Sequence, residues 1–139
     1  MHLITRTALL FVAVAVAGCG GSGDSITDPL GDPTGVYTLR TINGQALPFL
    51  QSQIGADKVE FLDGTVTLNA DKTFIDATTF RVTELGVVTT EVDLADGTWS
   101  LTGATVRFLL ADGSSYSMTW NSTDTLTQVF DTLTLVYRK

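Results

Sequence analysis

Few side chains here could do chemistry, and what is missing narrows the field as much as what is present. Cys19 is the only cysteine and His2 the only histidine. Carboxylates are more plentiful: Asp57, Glu60, Asp63, Asp76, Glu84, Glu91, Asp93 and Asp112 could in principle pair as general acid and base, as glycoside hydrolysis requires. Most of them stand at turn dipeptides or on the polar side of alternating runs, where a solvated outer face accounts for them. The run Asp93-Leu94-Ala95-Asp96-Gly97 offers hard oxygen ligands and a glycine, which suits calcium, but it lacks the remaining ligands of an EF-hand loop and reads as a hairpin turn. Asn121-Ser122-Thr123 has the form of an N-glycosylation acceptor. The aromatic set Tyr37, Phe74, Phe80, Trp99, Phe108, Trp120 and Phe130 is the better candidate for a site, because aromatic and apolar side chains line most small-molecule cavities. Of these, Tyr37, Phe74, Phe80, Phe108 and Trp120 are the expected ligand-binding residues; no catalytic residue, metal or cofactor is expected.

Cys19 closes an apolar run from Leu9 to Gly18 that follows the basic Arg6. A short positive start, an apolar stretch of about ten residues and small residues ahead of a cleavage point make up a secretory signal. Ten helical residues reach about 15 Å, half of a hydrocarbon core, so the run addresses the chain without spanning a bilayer. Val16-Ala17-Gly18-Cys19 resembles the lipobox of bacterial lipoproteins, in which an aliphatic and two small residues precede a cysteine. The resemblance implies that Cys19 receives a diacylglycerol as a thioether, that residues 1–18 are removed, and that the new amino terminus is acylated. Several acyl chains hold durably where one holds only reversibly, since each buried methylene is worth about 0.8 kcal/mol. The expected location is the bacterial cell envelope, lipid-anchored to a membrane. Gly20 rather than Asp follows the cysteine, which leans toward the outer membrane, on its periplasmic or surface side, in a didermic cell.

The same cut removes the histidine, and alkylation consumes the thiol. Triads, Cys-His pairs and imidazole or thiolate zinc sites then lack their parts. Residues 1–18 hold one cation, Arg6, so the formal net charge of −7 becomes −8 without them. Such acidity excludes nucleic acid, whose phosphates need clustered Lys and Arg, and any electrostatic grip on anionic lipid.

These residues must be positioned by strands. Residues 19–34 are a Gly, Ser, Asp and Pro mixture without apolar periodicity, read as the acylated cysteine and a flexible tether reaching about 20–25 Å. From Gly35 to Lys139, Thr, Val, Leu, Phe and Tyr alternate with polar residues at period two, and helical periodicity is weak. The expected strands are 36–42, 58–62, 65–69, 73–83, 87–93, 98–101, 104–111, 114–121, 125–130 and 132–138. Asp63-Gly64, Leu85-Gly86, Asp96-Gly97, Thr102-Gly103 and Asp112-Gly113 are expected turns, because Asp-Gly supplies the positive φ of a tight hairpin. The irregular stretch from Asn43 to Asp57, broken by Pro48, reads as a loop or short helical turn across a barrel end. Such a meander closes on itself to remove its edges, giving an all-β antiparallel barrel of 8–10 strands, with a β-sandwich as the alternative.

Gly35-Val36-Tyr37 at the start and Leu135-Val136-Tyr137-Arg138 at the end resemble the lipocalin superfamily, where Gly-x-Trp opens the first strand and a basic residue of the last strand covers that ring. The order of segments is similar to short bacterial lipoproteins carrying lipocalin-like domains. The resemblance implies a lipocalin-like barrel over residues 35–139, with Arg138 over Tyr37, that takes a small hydrophobic ligand without being an enzyme. The other expectation is a protein-interaction or envelope-maintenance module whose barrel is filled; of the two interiors, mostly filled is the one expected for about 105 residues.

Overall fold

A computed structural model describes residues 31–139. Cys19, the leader 1–18 and most of the tether 19–34 lie outside the described residues.

Among the described residues the alternating pattern folds into ten strands and no helix: β1 (Gly35–Ile42), β2 (Gln45–Ala46), β3 (Phe49–Ile54), β4 (Asp57–Leu68), β5 (Thr73–Glu84), β6 (Val87–Thr102), β7 (Thr105–Leu110), β8 (Ser115–Trp120), β9 (Thr125–Phe130) and β10 (Leu133–Arg138). Neighbours along the chain pair antiparallel from β4 through β10; β10 then pairs with β1, and β1 with β4. That last pairing, Gly35↔Leu68 through Thr38↔Thr65, closes an eight-stranded barrel. The expected all-β antiparallel meander is therefore present, closed rather than split into a sandwich, with β2 and β3 as additions to its wall.

Three expectations about the elements change. Asp63-Gly64 and Asp96-Gly97 are not hairpin turns but lie within β4 and β6, so four expected strands become two long ones. At both places the backbone comes close to a neighbouring strand, closest at Gly97. A Cβ on Gly97 would overlap the Leu109 carbonyl oxygen, and one on Gly64 would come within 3.1 Å of Leu39 Cβ. Glycine inside a strand marks such close approach as readily as it marks a turn. Asn43 to Asp57 is a flap rather than a loop over the end. Its β2 pairs with the end of β1, and its β3 with the first half of β4, Phe49↔Phe61 to Ile54↔Asp57. A register shift between Phe61 and Asp63 is where β4 exchanges β3 for β1 as its neighbour.

The core gathers toward one end. Tyr37, Leu39, Val66, Leu68, Phe74, Trp99, Val106, Phe108, Met118, Trp120, Leu126 and Tyr137 are buried there, from the inward parity of every barrel strand. Phe74 meets Phe108 edge-on at 4.9 Å between centroids, and Phe108 stacks on Tyr116 at 4.6 Å with an interplanar angle of 6°. Such pairs add about 0.5–1.5 kcal/mol each beyond their burial. The chain enters at this closed end, where the Tyr37 hydroxyl donates to the Pro33 carbonyl at 2.6 Å. The cation over Tyr37 is Lys139, its ammonium 5.1 Å from the ring centroid, and not Arg138. Strand parity is the reason: Tyr137 points inward and is buried, so Arg138 points out and is exposed, and Lys139 returns to the inner side.

Candidate functional site

The other end of the barrel holds a cup. β5 carries Phe74, Asp76, Thr78 and Phe80 on its inner face, and only Phe74 belongs to the packed plug. Above it a cavity of about 270 Å³ is lined by Phe61 from β4, Asp76, Thr78 and Phe80 from β5, Asp93 and Ala95 from β6, and Tyr116 from β8. Gln128 and Phe130 from β9, Leu133, Leu135 and Tyr137 from β10, and Gln51 from the flap complete it. Phe61 and Phe80 pack at 4.7 Å between centroids and make one aromatic wall.

The wall of the cup is incomplete on one side. β7 pairs with β6 only from Gly97 to Thr102, and the β7–β8 hairpin turns at Leu110–Ser114, halfway up the barrel. β6 from Val87 to Asp96 is thus hydrogen-bonded to β5 alone, and β8 pairs with β9 only at Thr119↔Thr127 and Trp120↔Leu126. A notch remains between the upper parts of β6 and β9, with Asp93 on one side and Phe130, 62 % exposed, on the other.

The floor is polar. Tyr116 Oη donates to Asp76 Oδ2 at 2.7 Å. Burial pushes the Asp76 carboxyl above its ordinary value; the Tyr116 hydrogen bond opposes that shift and the Asp93 charge adds to it. Burial also pushes both Tyr116 and Tyr137 up, and the Asp76 charge pushes them further. Asp76 pairs in register with Ala95 and Asp93 with Thr78, so the two carboxylates are diagonal neighbours on one inner face. Among the described residues no Lys, Arg or His lines this cavity.

No family model, curated protein or solved structure matches the chain. The site therefore has to be read from its own geometry.

Of the five aromatic residues expected to bind a ligand, the structure brings Phe80 to the cavity. Tyr37, Phe74, Phe108 and Trp120 pack together at the closed end, with Tyr37 pushed up to about 12, first by burial and then by the Asp32 charge. Phe130, a member of the wider aromatic set, also lines it, and Phe61, Tyr116 and Tyr137, which that set lacks, complete the aromatic lining. Asp76 was among the carboxylates, read as part of a solvated face. Its parity carried the signal: positions 74, 76, 78, 80 and 82 share one side of a strand, and two of them are phenylalanine.

The other carboxylates do different work. Glu60 accepts two hydrogen bonds from Arg81 (2.8 and 2.9 Å) and lies 3.1 Å from Lys58, and these cations hold it down to about 2. Asp57 ties the β3–β4 turn to the β5–β6 turn by accepting from the Leu85 amide at 2.8 Å. The run Asp93 to Gly97 is extended within β6, which puts Asp93 and Asp96 on opposite faces. Asn121 folds its side-chain carbonyl over the amides of Thr123, Asp124 and Thr125 at 2.9–3.0 Å and so caps the β8–β9 turn. A larger cleft, about 590 Å³, lies outside the barrel between Gly31–Thr34 and the end of β6. Lys72 sits 3.9 Å over the Trp99 ring there.

Proposed function

We propose that the protein is a lipid-anchored lipoprotein of the bacterial cell envelope whose barrel binds a small hydrophobic molecule and performs no catalysis. The observation that carries this reading is the division of the barrel into an aromatic plug and a 270 Å³ cup. A dry apolar cavity of about 150 Å³ holds benzene, so this cup admits a molecule of roughly ten heavy atoms. A lipocalin-like ancestry is supported by Gly35 and Tyr37 opening the first strand, and by a terminal cation covering the Tyr37 ring. The anchor rests on the lipobox resemblance at Cys19.

Native mass spectrometry of the protein extracted from its own membranes tests both parts. Acylated Cys19 together with a retained small molecule is the expected spectrum. An unmodified Cys19 rejects the anchor, and acylated protein that neither retains nor takes up any apolar molecule rejects the cup as a binding site.

The β6 edge favours a second reading, a module that holds another protein. Among the described residues, β6 from Val87 to Asp96 has no partner on its outer side, and Val88, Val92 and Leu94 are 60 %, 57 % and 68 % exposed beside that edge. An exposed apolar edge is a ready template for an added strand. Crosslinking in native membranes separates the readings, since protein adducts through β6 support the second and lipid-like adducts alone reject it.

A further inference from the structure

The cup differs from a plain grease pocket at its floor. A hydrophobic barrel interior normally avoids carboxylates, because burying one without a cation is costly. Here the half-buried Asp76 reaches the cavity from β5, with Asp93 exposed at the rim on the adjacent strand, and among the described residues the lining holds no basic side chain to compensate Asp76. The groups facing Asp76 are Tyr116 from β8, Tyr137 from β10 and Asp93 from β6, which are neutral phenols and a like charge. Tyr116 donates to Oδ2 and fixes the orientation of the carboxylate, while Oδ1 has no hydrogen bond among the described residues. Phe61, Phe80 and Phe130 line the same cavity, and the face of such a ring attracts a cation electrostatically.

Resting on the reading of the cup as a ligand site, we propose that its ligand is a small aromatic or aliphatic amine: the ammonium sits on Asp76, with Asp93 beside it, and the apolar portion lies against Phe61, Phe80, Leu133 and Leu135. Three features argue for that chemistry over a neutral or acidic ligand. A cation supplies the missing partner of a carboxylate already oriented for it, and it relieves the repulsion between two diagonal carboxylates. A carboxylic or phosphate head would add a third negative charge beside these two carboxylates. The size fits as well, since a phenyl ring with a two-carbon amine is close to ten heavy atoms.

The test uses the full chain in lipid nanodiscs and three probes of nearly equal shape: 2-phenylethylamine, 2-phenylethanol and phenylacetate, titrated by calorimetry at neutral pH. The amine is expected to bind at least tenfold more tightly than the alcohol, and phenylacetate to show no measurable binding. Asp76→Asn is expected to bring the amine down to the affinity of the alcohol. Should Asp76→Asn fail to fold, Tyr116→Phe serves. It keeps the carboxylate but removes the hydrogen bond that favours its charged form, so amine binding should be lost at a higher pH on acidification than in the wild type. Equal binding of amine and alcohol, or tighter binding of phenylacetate, overturns the amine assignment while leaving an apolar cup standing. Absence of binding by all three, with toluene also excluded, overturns the cup itself and the amine with it.

Discussion

At Asp76 the demands of folding and those of the proposed binding pull in opposite directions. Its carboxyl is pushed up by burial, so the folded state holds the proton more tightly than the unfolded chain does. Stability from this group is complete below the ordinary carboxylate range and is lost as pH rises through the folded-state value. Asp76→Asn keeps an acceptor for the Tyr116 hydroxyl and removes the charge. The variant should therefore melt at a higher temperature than the wild type at neutral pH, and the two melting curves should converge near about pH 3, where Asp76 is itself neutral. Circular dichroism melts across that range check it, and a variant less stable at neutral pH would refute the sign. Glu60 titrates in the reverse sense, because Arg81 and Lys58 hold it down. Its contribution is present above the ordinary carboxylate value and fades as pH falls toward about 2. The two groups are separable because only Asp76 is altered in the variant.

Among the elements, β4 and β6 carry the decisive irregularities. Gly97 lets β6 pass close to β7 before leaving it, and a methyl group there meets the Leu109 carbonyl. Gly97→Ala should cost about 1–3 kcal/mol, the usual range for forcing extra volume into a packed site, read from urea unfolding midpoints. Gly113→Ala, where a Cβ meets nothing within 4 Å but φ is +86°, is a control for turn strain alone and should cost less. The same two glycines explain what the sequence could and could not reveal. Strand identity and face were legible from alternation, as the buried Val106, Phe108 and the Tyr116, Met118, Trp120 series illustrate. Asp-Gly as punctuation was not, because the dipeptide serves a hairpin and a barrel bend equally, and only the partner strand across it decides. The β2–β3 flap was hidden for a related reason: Pro48 and a mostly exposed β3 erase the period-two signal that marked the other strands.

At the scale of the whole molecule, the barrel has two ends with different tolerances. Phe108 is fully buried in the plug and Phe80 half-buried beside the cup. Phe108→Ala should cost about 3–5 kcal/mol as a large-to-small core change, and Phe80→Ala about 1–2 kcal/mol because it enlarges an existing cavity. Urea denaturation of both variants checks the contrast, and equal losses would mean that the cup is packed as firmly as the plug. The location of the aromatic plug was within reach of sequence reasoning, since its members share inward parity. Which layers stay hollow was not, because that depends on where the β7–β8 hairpin stops. That early stop has a kinetic consequence. Among the described residues no strand closes the notch, so a guest bound as proposed would arrive and leave past the Phe130 ring, whose rotation at an exposed position takes picoseconds to nanoseconds. Dwell time would then follow the contacts inside, and on that reading the receptacle would sample its surroundings continuously rather than lock a single cargo away.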